Sequence, residues 1–411
     1  MFVMYKGGCV FAPQDDRYLF LDMNSFFARC EQQVNPALRN KPVVVAPYTG
    51  TTGCCIAVSY EAKTLGVKTG MGVGEARALI PNLTVVESRP ELYRHVHHQL
   101  VAIINDFTPY VSVRSVDEMT FPLASYEQGG DRPFALAHMI KSALKQKLGE
   151  WLTASVGIGP NVFMAKQAAE ARKPDGCVCI RCADIPAWLR RWQLTDLKGI
   201  NTCMERQLIR LGITQPIQLY TTNQEILRKK LGVAGEYWWL RLHGYPIDSA
   251  QSPTKTIGHS CVLSPDARRW DVATQVLHKL VQRVGERLRA GGFTSSALHL
   301  YIRFLHSPSF RLHMRTRPFS DSRALWRYTS HMWERAPRIH TPFMIAITAC
   351  DLHGEQMHQL PLFANDRKET NLYHALDSVN ARFGQWTLKP ASLIGTERHA
   401  PSRIPFGNRQ L

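Results

Sequence analysis

Three carboxylates stand at positions where carboxylates are costly. Asp22 closes the short apolar run Tyr18-Leu19-Phe20-Leu21, which reads as a buried strand. A lone acid at a strand end is ordinary, since it can serve as a turn or cap residue. Asp117 and Glu118 are less ordinary. They interrupt a second strand-like run, Ser115-Val116-Asp117-Glu118-Met119-Thr120-Phe121. Adjacent acids inside an apolar strand are expensive to bury unless a cation neutralises them. Three carboxylates delivered by two strands make a hard, oxygen-only site. Mg²⁺ prefers such a site when it keeps waters and borrows substrate phosphates.

The elements that must hold these acids follow from periodicity and turn signals. A helix over 28–33 stops at Asn35-Pro36. Lys41 to Ala46 and Ile56 to Ser59 read as short strands. A small helix over 75–80 is closed by Pro81-Asn82, and another runs toward Ile104. Val111 to Phe121 is a strand pair, 135–148 a helix, Thr153 to Gly159 a strand ending in glycines, and 161–172 an Ala-rich helix. From 188 to 240 the chain is Leu-rich and helical without strand signal. His95, His97 and His98 read as the polar face of a helix rather than as metal ligands, because no carboxylate stands at facial-triad spacing.

Asp22-Met23-Asn24-Ser25-Phe26-Phe27-Ala28 followed by Ser115-Val116-Asp117-Glu118 resembles the two metal-binding motifs of the Y-family (DinB/UmuC-type) translesion DNA polymerases. Ser155 to Asn161, Ala165-Lys166 and Lys173-Pro174-Asp175-Gly176 extend the likeness. The resemblance implies an α+β multidomain, right-hand polymerase. Its parts are a ferredoxin-like palm with an antiparallel sheet (1–40 and 85–180), small fingers (41–84), a helical thumb (181–245), a linker (246–256), an α/β little finger that binds DNA (257–350) and a C-terminal tail (351–411). It implies that Asp22, Asp117 and Glu118, with the Met23 carbonyl, hold two Mg²⁺ ions. It places Tyr60, Lys63 and Lys173 at the triphosphate of an incoming dNTP. Phe26 and Phe27 lie beside that nucleotide, with Phe27 as the steric gate against a ribose 2′-hydroxyl. Asn24 stands where some members carry Asp. Leu197-Lys198-Gly199-Ile200-Asn201 is similar to a helix-hairpin-helix element, whose amides hold a DNA phosphate; Asn201 replaces a Gly frequent in the family and tolerates a left-handed backbone.

Composition points the same way. The chain has 411 residues, 45% of them hydrophobic, which suits two to four folded domains. Lys and Arg number 50 against 33 Asp and Glu, a net charge of +17, so a polyanionic partner is expected, nucleic acid before an anionic membrane. Residues 1–180 carry 18 basic and 16 acidic side chains; residues 251–350 carry 15 and 5. Within that second stretch, Arg311, His313, Arg315 and Arg317 alternate with Leu312, Met314 and Thr316, and Leu298 to Phe304 places His299, Tyr301 and Arg303 together. A period of two sets these cations on one sheet face, which reads as a surface for a phosphate backbone, and the resemblance implies that the backbone is that of primer–template DNA.

The ten cysteines lack a fourth ligand at zinc-finger spacing, so reduced thiols are favoured over a structural zinc. No signal pattern opens the chain and no run of 18 apolar residues occurs, which leads to the expectation of a cytoplasmic protein in a reducing compartment, without a membrane segment; a monomer is expected besides. Gln359-Leu360-Pro361-Leu362-Phe363 is similar to the clamp-binding peptides of bacterial replication proteins, and a sliding clamp is the implied partner; a buried strand end is the competing reading. The segment after Trp386 reads as an extended tail. Two other functions stay open: a non-catalytic DNA-binding accessory on the same fold, and another two-metal palm enzyme such as a nucleotide cyclase.

Overall fold

In the computed structural model, which describes residues 2–5, 8–51, 53–248, 254–354 and 364–396, the strand Tyr18–Met23 is the centre of a five-stranded sheet. All six of its residues are buried. It pairs antiparallel with Glu118–Pro122 on one side and Ala154–Gly159 on the other. Ser112–Val113 and Cys177–Cys179 form the edges. The Cys177–Cys179 strand runs parallel to Ala154–Gly159, so the sheet is mixed and not wholly antiparallel as expected. The helix Val162–Ala171 between them makes the crossover that a parallel pair requires.

The central strand is buried on both faces because its alternating side chains serve two cores. Leu19, Leu21 and Met23 pack with the helices Phe26–Val34, Pro90–Asn105 and Arg132–Leu148. Tyr18 and Phe20 pack with Val162, Ala165 and Ala169 of the Ala-rich helix. That helix lies directly on the neighbouring strand: a Cβ at Gly157 would collide with the Ala165 carbonyl and the Ala169 amide. Glycine in the strand and alanines in the helix thus set the close approach that carries Lys166 and Glu170 over the carboxylate end of the sheet.

Val43–Ala46, Ala57–Val58 and Thr84–Glu87 form a separate three-stranded sheet with its own small core. Residues 185–242 are helical and pack around Leu189, Leu197, Leu208 and Trp238. The chain divides into two compact units near residue 251. In the second, Ile257–Val262, Pro342–Gly354, Phe293–Phe304 and Phe310–Phe319 form a four-stranded sheet in that order. Its inner face, including Leu298, Leu300 and Ile302, packs on the helices Trp270–Ala290 and Ser322–Glu334.

The C-terminal segment departs from the expected tail. Residues 351–354 continue a strand, 364–383 form a helix, and Leu393 is buried. Arg289 of the helix Trp270–Ala290 donates to both Asp377 oxygens, at 2.6 and 2.9 Å. The Trp386 ring lies within 5.7 Å of the Lys279 and Arg283 charges. The segment docks on a helix distant in sequence through an ion pair and cation–ring contacts, which local composition does not reveal. Among the described residues, Asp377→Ala leaves the buried Arg289 with Ser320 and Ser322 as acceptors. It is expected to cost about 2 kcal/mol in urea unfolding of the full chain; an unchanged midpoint would show that this pair does not hold the segment. Among the described residues no helix is long and apolar enough to cross a membrane.

Candidate active site

Antiparallel register brings the acids together. Asp22 lies opposite Glu118, and the Met23 amide donates to the Asp117 carbonyl at 2.9 Å. Asp22, Asp117 and Glu118 line one cavity of about 430 Å³, together with Met23, Phe26, Phe27, Lys63 and Lys173. Ser25, Ser115, Thr69 and Glu170 complete its polar wall.

Each carboxylate has a neighbour. The Lys173 ammonium sits 2.8 Å from Asp22 and 2.8 Å from Glu170. Lys166 donates to both Glu118 oxygens, at 2.6 and 2.8 Å. The Ser115 hydroxyl donates to Asp117. As they stand, no three His, Cys, Asp or Glu side chains among the described residues close around a common point as a metal site. The electrostatics nevertheless ask for more positive charge. Burial pushes the Asp22 carboxyl up to about 7, although Lys173 pulls the other way. Burial also raises Asp117, against the hydrogen bond from Ser115. Burial opposes the Lys173 charge, yet Asp22 and Glu170 hold its proton and move it upward overall. Buried carboxylates whose anionic form is disfavoured gain from an added cation, and the donor set is all oxygen, so these residues fit Mg²⁺.

Of the residues that the sequence places at the nucleotide, Phe26, Phe27, Lys63 and Lys173 line the same cavity. Phe27 is 7% exposed and stacks on Tyr93 with centroids 4.3 Å apart. Lys63 donates to Ser25 at 2.8 Å; burial and the nearby Lys173 lower its pKa. Tyr60 is not a lining residue; its ring lies under the Lys63 ammonium at 4.5 Å. Asn24 is buried and serves as a tie: its side-chain oxygen accepts from the Asp175 amide at 2.8 Å and its nitrogen donates to Ser155 at 2.9 Å. It thereby pins the turn after Lys173 to the strand that carries Asp22.

The chain matches the model of the impB/mucB/samB family over residues 21–170 and that family's C-terminal domain over 254–362. It is 32% identical to DNA polymerase IV of Moorella thermoacetica over 393 residues, covering 93% of this chain and 97% of the relative. The chain belongs to the DinB-type Y-family of DNA polymerases. A solved Y-family DNA polymerase chimera superposes with a TM-score of 0.71 at 23% identity, covering 82% of this chain and 99% of the other. The insertion ternary complex of Dbh DNA polymerase gives 0.56 at 23%, with the same coverage. The α+β multidomain architecture is that of the Y-family fold.

The sequence-derived DNA contacts are placed unevenly within this Y-family chain. Gly199 has φ +107°, which only glycine adopts without strain. Asn201 is not left-handed as expected. It sits at φ −93° and caps the helix Thr202–Arg210, accepting from the Cys203 and Met204 amides, so helix capping explains an Asn there. The Lys198 ammonium lies 3.5 Å from Glu170, at the margin of the acidic cluster. Arg303, Arg311, Arg315 and Arg317 are exposed on the outer face of the second unit's sheet. Gln359, Leu360, Leu362 and Phe363 lie outside the described residues.

Sequence reasoning passed over Lys166, Glu170 and Ser115 as functional side chains. A single acid or lysine on an Ala-rich helix carries no signal by itself; the glycine-permitted packing of that helix makes them neighbours of Asp22 and Glu118. His97 departs from the polar face expected of its helix. It is buried, with Nδ1 bonded to the Val116 carbonyl at 2.8 Å beside Asp117, while His95 and His98 are exposed. Cys30, Cys54, Cys55, Cys177, Cys179, Cys182, Cys203, Cys261 and Cys350 are free thiols.

Proposed function

We infer that this chain is a template-directed DNA polymerase of the lesion-bypass type, adding deoxynucleotides to a primer 3′-hydroxyl by nucleotidyl transfer. The observation that carries this is one cavity into which two adjacent strands present Asp22, Asp117 and Glu118 beside Lys63, Lys173 and Phe27. Asp22, Asp117, Glu118 and the Met23 carbonyl would hold two Mg²⁺ ions, which when bound lower the pKa of the attacking hydroxyl and offset charge on the triphosphate and leaving pyrophosphate.

The protein's own groups do the rest. Lys63 and Lys173 offer point charges to the phosphates, and Tyr60 supports them from behind Lys63. Phe27 occupies the space a ribose 2′-hydroxyl would need and offers it no acceptor. The arginines of the outer sheet face grip the primer–template backbone, and the amides around Gly199 receive a phosphate. A non-catalytic accessory is not favoured, because all three acids are retained at one cavity. Mg²⁺-dependent, template-directed extension of a primer by the purified chain tests the reading; template-independent addition or no addition would overturn it.

The chain is proposed to act as a cytoplasmic monomer in the tolerance of DNA damage, with a sliding clamp as partner. Deleting residues 359–363 is expected to leave unassisted extension intact and to abolish stimulation by a bacterial clamp. Full stimulation of the deleted protein would withdraw the peptide from that role.

A further inference from the structure

We propose that Glu31 and Tyr93, both buried, and the half-exposed Arg89 form a brace that fixes the position of Phe27 and so determines how strongly ribonucleotides are excluded. The proposal rests on the reading of Phe27 as the steric gate. Phe27 and Glu31 are four residues apart on the helix Phe26–Val34, hence on one face. Arg89 and Tyr93 are likewise four apart, at and just inside the start of the helix Pro90–Asn105. The two pairs lock together. The Tyr93 ring stacks on Phe27 at 4.3 Å with 16° between planes. Its hydroxyl donates to Glu31 Oε1 at 2.8 Å. Arg89 closes the set, Nε donating to Oε1 at 3.0 Å and Nη2 donating to Oε2.

This arrangement is costly, and the chemistry at the cavity does not use it. Glu31 is 1% exposed and Tyr93 is fully buried. Glu31 is absent from the cavity wall that Phe27 lines. An ion pair with one buried partner, Glu31, and one half-exposed partner, Arg89, is weak as a source of stability, since the buried carboxylate loses hydration and the solvent-facing guanidinium is screened. What it supplies is orientation. Stacked rings alone slide at small cost, whereas a phenol held through its hydroxyl by a doubly bonded carboxylate cannot. A gate that rejects one hydroxyl by contact is selective only as far as its position is held, because shape alone discriminates weakly against an added hydroxyl. The three residues are therefore positioning residues for sugar selection.

The test uses the full-length protein with Tyr93→Phe, which keeps the ring and its stack and removes only the hydroxyl. Single-nucleotide incorporation gives kcat/KM for a dNTP and for the matching rNTP. The dNTP-to-rNTP ratio is expected to fall about tenfold, the kinetic equivalent of one lost hydrogen bond. Glu31→Gln is expected to move the ratio the same way; if that variant does not fold, Tyr93→Phe carries the test alone. An unchanged ratio in Tyr93→Phe, including a parallel loss with both substrates, overturns the brace. Phe27→Ala is measured alongside. If it opens the site to ribonucleotides and Tyr93→Phe does not, only the brace fails. If Phe27→Ala leaves the ratio unchanged, the gate reading fails and the brace with it.

Discussion

Asp117→Ala is expected to reduce primer extension by about 10³-fold or more while the protein still binds primer–template DNA. The magnitude follows from the several kcal/mol of charge stabilisation that a metal-holding carboxylate secures in phosphoryl transfer. Structural damage should be small. Asp117 precedes the strand Glu118–Pro122, and its backbone carbonyl, which anchors Met23, survives the substitution. Its carboxylate accepts from the neighbouring Ser115 hydroxyl, which can turn to solvent or to the cavity once the acid is removed. Removing an acid whose anionic form burial already disfavours should not lower stability. In the proposed reading DNA affinity rests on the arginine face, and those arginines lie in the second compact unit of the chain. Extension kinetics and a fluorescence-anisotropy binding curve on the same preparation separate the two. An active Asp117→Ala protein would remove the metal assignment, and an inactive one that no longer binds DNA would leave folding as the cause.

Phe27→Ala is expected to admit ribonucleotides, with the dNTP-to-rNTP efficiency ratio falling by about 10²-fold, the scale on which shape alone rejects an extra hydroxyl. The ring is nearly buried, lines the cavity, and backs onto Tyr93. Deleting it opens space on the cavity side and removes half of an aromatic stack. The structural cost is real, about 3 kcal/mol for a buried Phe→Ala. Phe27→Leu offers a milder companion, since it fills more of the space and should lower the ratio less. A graded series, with Ala more permissive than Leu and Leu more than Phe, is the signature of steric exclusion. Equal ratios across the three would clear Phe27 of sugar selection.

Much of this site could be read along the chain because its signals are local. Two acids side by side in a strand-like apolar run conflict with burial, and that conflict is visible without coordinates, although Asp117 itself proves to lie just before the strand. The cationic face was visible too. In a strand, neighbours two apart share a face whatever the tertiary structure, so the alternation from Arg311 to Arg317 sorts into exposed and covered rows as expected. The family likeness rode on the same short motifs. What alternation and adjacency cannot express is convergence over distance. Glu31 meets Arg89 across 58 residues, and Asn24 meets Asp175 across 151. Glu118 meets Lys166 only because Gly157 lets a helix settle on the sheet. The same holds for the parallel edge strand and the C-terminal helix clasped by Arg289. By itself the sequence determined which residue types could do chemistry and which faces they share, since backbone period is a local property. Only the tertiary structure decided which of them are neighbours, because burial and ion pairing are settled by whichever distant element supplies the other wall.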